Sequence, residues 1–163
     1  YALNGVFNVW IPQEGITVGN TQFLSSIPYN TVTSPGTSRY IITAACYNQN
    51  NDNIVISSGT ASLNNIINIV DLAAGGVNVQ TIGANSTTIS TVNGTSVSAA
   101  VVAGACALLL EWGIINGNDP NIYSQTIKYY LTGGTRKRSG DVYPNPQWGF
   151  GILDMIKVFR NMT

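Results

Sequence analysis

Apolar residues in the first half of this chain come in short bursts separated by Gly, Pro, Asn and Ser; in the second half they form longer, helix-like runs. GVFNVWIP, residues 5–12, brings Val6, Phe7, Val9 and Ile11 close to alternation before Pro12, the signature of a half-buried strand. Residues 12–38 are rich in Gly, Pro, Ser and Asn and read as a long connection with room for one short strand. RYIITAACYN, residues 39–48, is continuously apolar after Arg39, as in a strand covered on both faces of a parallel sheet. NNDN then reads as a turn and IVISS as a short strand. NIVDLAAGGVNVQTI predicts two strands broken at Gly75-Gly76, and the polar STTISTVNG leads into the next element.

From Ser96 to Trp112 the pattern turns helical and is apolar on every side, which predicts a central helix that Gly113 stops. Its many Ala residues and Gly104 permit close packing on a sheet. A second helix is expected from Asp119 as N-cap and Pro120 at the first helical position, with Tyr123, Ile127, Tyr130 and Leu131 on one face and Gly133 at its end. Residues 135–151 read as a loop. ILDMIKVF places Ile152, Met155, Ile156 and Phe159 on one face of a final helix. No internal repeat is visible. Strands followed by one buried and two amphipathic helices predict an α/β fold.

Composition narrows the classes. Hydrophobic residues make up 44% of 163 residues, enough for one domain's core. Charged residues are only 9% and the net charge is zero, so no electrostatic footprint for nucleic acid or an anionic membrane is present. So little charge, with so much Asn and Thr, agrees with an extracytoplasmic protein and equally with an AT-rich genome. Cys46 and Cys106 lie in apolar surroundings without metal-ligand spacing and read as free thiols. No metal site or cofactor motif is visible. The run from Ala99 to Leu110 is too short to span a bilayer. The chain opens at Tyr1 within structured-looking sequence, without a signal-peptide pattern, as a fragment or processed product would.

The chemistry concentrates at Gly94-Thr95-Ser96. A serine hydroxyl needs a base to become a nucleophile. In a helix's first turn it has free amides and the helix dipole beside it, and both favour developing negative charge. Thr and Ser are also ordinary N-caps, so these residues alone leave cap and nucleophile both open.

The wider stretch NGTSVSAAVVAGACALLLEW resembles the nucleophile segment of subtilisin-like serine proteases. YIITAACYN resembles the family strand usually written VITVGAYN, and DLAAGGVNV the stretch DLVAPGVNI. VWIP, SPGT and IITAACYN follow one another as in the clostridial, Csp-type germination group, and YPNPQWGFGILD resembles that group's C-terminal part. The resemblance spans residues 5–160. It implies a subtilisin-like parallel sheet flanked by helices, a serine endopeptidase acting through an acyl-enzyme on Ser96, the Ser96 amide as an oxyanion donor, and Thr33 near the primary specificity pocket. It also implies a protein or peptide substrate and a spore-associated or extracytoplasmic setting.

The match is incomplete. The chain contains no histidine. Asp52, Asp71, Asp119, Asp141 and Asp154 sit in none of the family's catalytic Asp motifs, and the oxyanion Asn motif is missing; Asn93 reads as a turn residue. Residues 1–163 are therefore expected to be the C-terminal half of a subtilase catalytic domain, inactive alone, partnered by the N-terminal remainder of that domain or by a second copy. The alternative is a degenerate pseudoprotease that binds or scaffolds. Val97, Ser98 and Gly75 stand where the family usually has Met, Ala and Pro, and Ser98 is expected to bond backbone inside its own helix. Arg136–Arg138 read as a solvated loop, the three Trp as packing residues and Glu111 as a surface charge.

Overall fold

The computed structural model describes residues 5, 7, 9–11, 19–63, 70–84 and 87–162. Strands β1 (Ala44–Asn48), β2 (Asn53–Ile54), β3 (Leu72–Gly75), β4 (Val79–Ile82) and β5 (Ile89–Val92) precede helices α1 (Thr95–Leu110), α2 (Ser124–Gly133) and α3 (Met155–Met162). β1 lies between an antiparallel β2 and a parallel β3, paired from Ala44 opposite Leu72 to Tyr47 opposite Gly75. Ile152 continues the sheet beyond β3, bridging Ala73 in parallel and Arg136 in antiparallel fashion. β4 and β5 form a separate hairpin. The architecture is α/β, as expected.

Alternation along β3 explains why its sequence is uniformly apolar. Leu72 and Ala74 face one core, with Val102, Ala105 and Leu109 of α1, Ile127 and Leu131 of α2, and Val158 of α3. Ala73, between them, faces a second core with Ala45, Tyr47, Val70, Trp148 and Ile152. A strand buried on both faces has no room for a polar residue on either.

Several elements differ from expectation. Among the described residues of 5–12 there is no strand, and Phe7, Val9 and Trp10 are exposed; the rest of that stretch lies outside the described residues. The strand at IVISS shrinks to β2, because only Asn53 and Ile54 pair with β1. The polar stretch before α1 is itself a strand, β5, satisfied by its hairpin partner rather than by a core. Gly113 does not stop α1: a π-helical turn, Glu111–Ile115, carries it on. Gly113 instead makes room, since a Cβ there would lie 3.0 Å from both the Asp119 carbonyl and Ile122.

Asp119 does not cap α2. Its carbonyl accepts the Ile122 amide in a preceding turn, and extended Tyr123 sits at the cap. Ile122 is buried and Tyr123 exposed, the reverse of the helical reading. Ile152 belongs to the sheet, so α3 starts later; it buries Val158 and exposes Ile156. The Arg136–Arg138 loop is engaged rather than merely solvated. Arg136 pairs with Asp52 at 3.4 Å, Arg138 with Asp141 at 3.2 Å, and the Arg138 guanidinium lies 4.5 Å from the Trp148 ring centre.

The largest departure concerns α1. Only Ser98, Val102, Ala105 and Leu109 are buried; Val101, Leu108 and Leu110 are 38%, 48% and 38% exposed. A helix apolar on every side carries no pattern to select a buried face, so the sheet makes the choice. With its π turn the helix runs 21 residues, Thr95–Ile115, long and apolar enough by length and composition to cross a membrane, contrary to the shorter run read from sequence. Its buried stripe nevertheless packs on β1 and β3 as a core helix does.

A buried carboxylate ties the sheet's entry points together. Asp71 accepts the Thr43 amide and Lys128 Nζ, each at 2.8 Å, while its backbone amide donates to the Thr43 carbonyl at 2.9 Å. Lys128 also donates to the Ile41 carbonyl at 3.0 Å, joining α2 to the start of β1. Burial raises the Asp71 pKa above its ordinary value of 3.8, outweighing Lys128 and the Thr43 amide, which lower it. The native carboxyl thus holds its proton more tightly than the unfolded one. Its contribution to stability is greatest below the unfolded value and declines as pH rises through the raised native value. Urea midpoints should show this decline in the wild type and a flatter profile in Asp71→Asn. Lys128→Met should cost about 3 kcal/mol near neutral pH, where it strands a buried charge, and far less once Asp71 is protonated.

Candidate active site

Ser96 occupies the second position of α1, and the cap before it is Gly94. Gly94 has φ 137°, a conformation that favours glycine over any side chain. No side chain caps the helix, and Ser96 is exposed. The Gly94 carbonyl accepts the Val97 amide at 3.1 Å and the Ser98 amide at 3.3 Å. The amides of Thr95 and Ser96 bond to no group among the described residues. A cap serine would instead accept the amide two or three residues further along the helix. Here the hydroxyl and two free N–H groups are presented together, the arrangement that can bind and stabilise an oxyanion.

The turn is held from below. The Gly94 amide donates to the Gly76 carbonyl at 2.9 Å, and the Gly76 amide to the Tyr47 carbonyl at 3.1 Å. Asn93 Oδ1 accepts the Asn78 amide at 2.7 Å, so Asn93 closes the open end of the β4–β5 hairpin just before α1. Gln49 clamps Val77 from the side, its Nε2 donating to the Val77 carbonyl. A Cβ on Gly76 would sit 2.3 Å from Ser98 Oγ, 2.5 Å from Cys46 Sγ and 2.7 Å from the Gly94 carbonyl, so only glycine allows this approach. Ser98, fully buried, donates across to the Ala74 carbonyl at 2.9 Å instead of bonding within α1 as expected. Sequence reasoning missed this anchor because nothing local shows which strand end lies beneath a helix.

Ser96 and Thr33 line the same open cleft, of about 490 Å³. Its far wall is the 31–36 loop, held by Thr43 Oγ1 donating to the Gly36 carbonyl at 2.6 Å and by the Thr31 amide donating to the Thr60 carbonyl at 2.9 Å. Its floor includes Ile42 and Ala44 at the outer side of β1. β2 pairs with β1 only at Tyr47 and Asn48, so the Ala44 end of that edge has no strand partner among the described residues. No lining residue among those described carries an acid or base that could take the serine proton. Nor does any group of three His, Cys, Asp or Glu residues among those described suit a metal ion. Cys46 is buried and Cys106 half-buried, both free, with burial pushing the Cys106 thiol pKa up.

Solved structures of known proteins share this fold. The CspB protease of Clostridium perfringens is 38% identical over 87% of this chain, with a TM-score of 0.81; the chain spans 31% of that protease's length. The prenylagaramide maturation protease PagA, at 16% identity and TM-score 0.63, and MycP1, at 23% and 0.62, share the fold over 83% and 81% of this chain and are spanned to 47% and 39% of their lengths. No curated protein sequence matches the chain. The model of the subtilase family matches residues 16–151, and with the CspB likeness it establishes that this chain belongs to the subtilase family of serine proteases.

Proposed function

We propose that this chain is the serine-bearing part of a peptide-hydrolysing catalytic domain, with Ser96 as nucleophile. The observation that carries the reading is the uncapped first turn of α1, which offers an exposed hydroxyl and unpaired amides to a cleft. Ser96 Oγ attacks the peptide carbonyl and forms the acyl-enzyme as the amine leaves. The Ser96 amide donates to the oxygen that becomes negative, and Thr33 contacts the substrate from the opposite wall. Water then releases the acid product. Both steps need a group to take and return a proton. The chain has no histidine and no described residue that lines the cleft carries an acid or base, so a further polypeptide supplies that group.

That polypeptide, the N-terminal remainder of the same domain, has a surface to occupy. The uncovered side of α1, with Val101, Leu108 and Leu110, and the unpaired Ala44 end of β1 are the apolar face and open strand edge that an incomplete α/β domain leaves. The 31% span of CspB is in keeping with such a remainder. In its absence a second copy covers the same face.

A full-length protein carrying this chain should be labelled by a fluorophosphonate at Ser96 and not in Ser96→Ala, with the isolated chain slower by roughly 10²–10⁴-fold for want of a base. Equal labelling of wild type and Ser96→Ala would reject Ser96 as nucleophile. A full-length protein that binds peptides yet resists labelling would favour the pseudoprotease reading. For the surface, Leu108→Asp should weaken self-association of the isolated chain by about tenfold or more in sedimentation, without loss of helix signal. Unchanged association would place the contact elsewhere.

A further inference from the structure

The buried hydroxyl beneath the candidate nucleophile has a role that neither helix nor core packing requires. We infer that Ser98 is a positioning residue for Ser96: by donating to the Ala74 carbonyl, it fixes the first turn of α1 against the C-terminal end of β3. The inference rests on the reading of Ser96 as nucleophile.

Ser98 is fully buried among apolar neighbours, where an alanine would satisfy the helix and a larger apolar residue would meet Gly76 and Cys46. A hydroxyl in such a place earns its position only through a bond, and its bond runs to another element 24 residues earlier rather than within α1. The strand end it grips runs into Gly75 and Gly76, residues of high intrinsic backbone freedom that are held here only through bonds to their neighbours. Ser96 stands two positions before Ser98 on the same turn, so its hydroxyl points away while sharing the backbone that Ser98 holds. The backbone bond from Gly94 to Gly76 fixes one point of this joint, and Ser98 to Ala74 fixes a second. Two points set an angle where one allows rotation. Reactivity of a nucleophile depends steeply on such placement.

Ser98→Ala tests the joint, with Gly75→Ala as the compensating change. Gly75 does not occupy the left-handed region, and a Cβ there would lie 3.1 Å from Gln49 Oε1, so alanine stiffens the strand end if the Gln49 side chain yields by a few tenths of an ångström while keeping its bond to Val77. In the full-length protein, Ser98→Ala should slow fluorophosphonate labelling of Ser96 about tenfold and lower kcat with KM nearly unchanged. Ser98→Ala with Gly75→Ala should recover part of the loss. An unchanged labelling rate, or a loss that tracks thermal stability and is not recovered, would overturn the role. Amide hydrogen exchange gives an arm that does not depend on catalysis. The Val97 and Ser98 amides should exchange roughly tenfold faster in Ser98→Ala, and the Leu109 amide should be unaffected. Equal acceleration along α1, or none, rejects the joint. If wild-type protein is not labelled, the reading of Ser96 fails, and the exchange result still decides whether Ser98 holds the turn.

Discussion

The first turn of α1 touches the end of β3 through Gly76, a position where no side chain fits between Ser98, Cys46 and the Gly94 carbonyl. That contact joins three parts of the molecule. The Tyr47 end of β1 reaches Gly76 by a backbone bond, Gly76 reaches Gly94, and Ser98 returns to Ala74. Helix, strand and hairpin neck meet within a few ångströms. The helix therefore starts where the sheet ends, and Ser96 emerges at the rim rather than inside. Without the close approach the first turn would have to lift, and the cleft shared with Thr33 would lose one wall.

A second knot works at the opposite end of the same strands. Asp71 draws in Thr43 and Lys128, and Lys128 reaches on to Ile41. In a chain with seven acidic and seven basic residues, one ion pair has been placed almost wholly inside. Burial raises the cost of the carboxylate, and its partners offset only part of it. What the pair contributes is register: the starts of β1 and β3 are held level, so their ends arrive together beneath α1. The other pairs, Arg136 with Asp52 and Arg138 with Asp141, lie nearer the surface and matter less to this geometry.

The structure is well filled on one side of the sheet and open on another. Two cores sandwich β3, yet α1 leaves Val101, Leu108 and Leu110 partly in solvent, and the Ala44 end of β1 has no strand partner on its outer edge among the described residues. The cleft that Ser96 and Thr33 share is bordered by Ala99 of α1 and by Ala44 of β1.

Much of this was written in the local sequence. Residues 39–48 read as a two-sided strand because an uninterrupted apolar run suits no other place in a sheet, and within them β1 forms at 44–48; the break read at Gly75-Gly76 is where β3 ends. The helix after Ser96 and its Gly-Thr-Ser start were equally legible, because capping positions and helical runs are short-range features. Tertiary structure decided the rest. Which stripe of α1 is buried could not be read from a helix apolar all round. Gly113 carried a helix-stop signal and Asp119 a helix-start signal, and the fold uses the first for packing and the second for a turn. Ile152 looked helical until Ala73 and Arg136 claimed it for the sheet. Whether Ser96 caps its helix or faces a cleft depended on which strand lies below it, and the hydroxyl that settles into that strand, Ser98, was visible only once β3 and α1 were brought together. Periodicity is set by neighbours along the chain; burial and reach are set by neighbours in space.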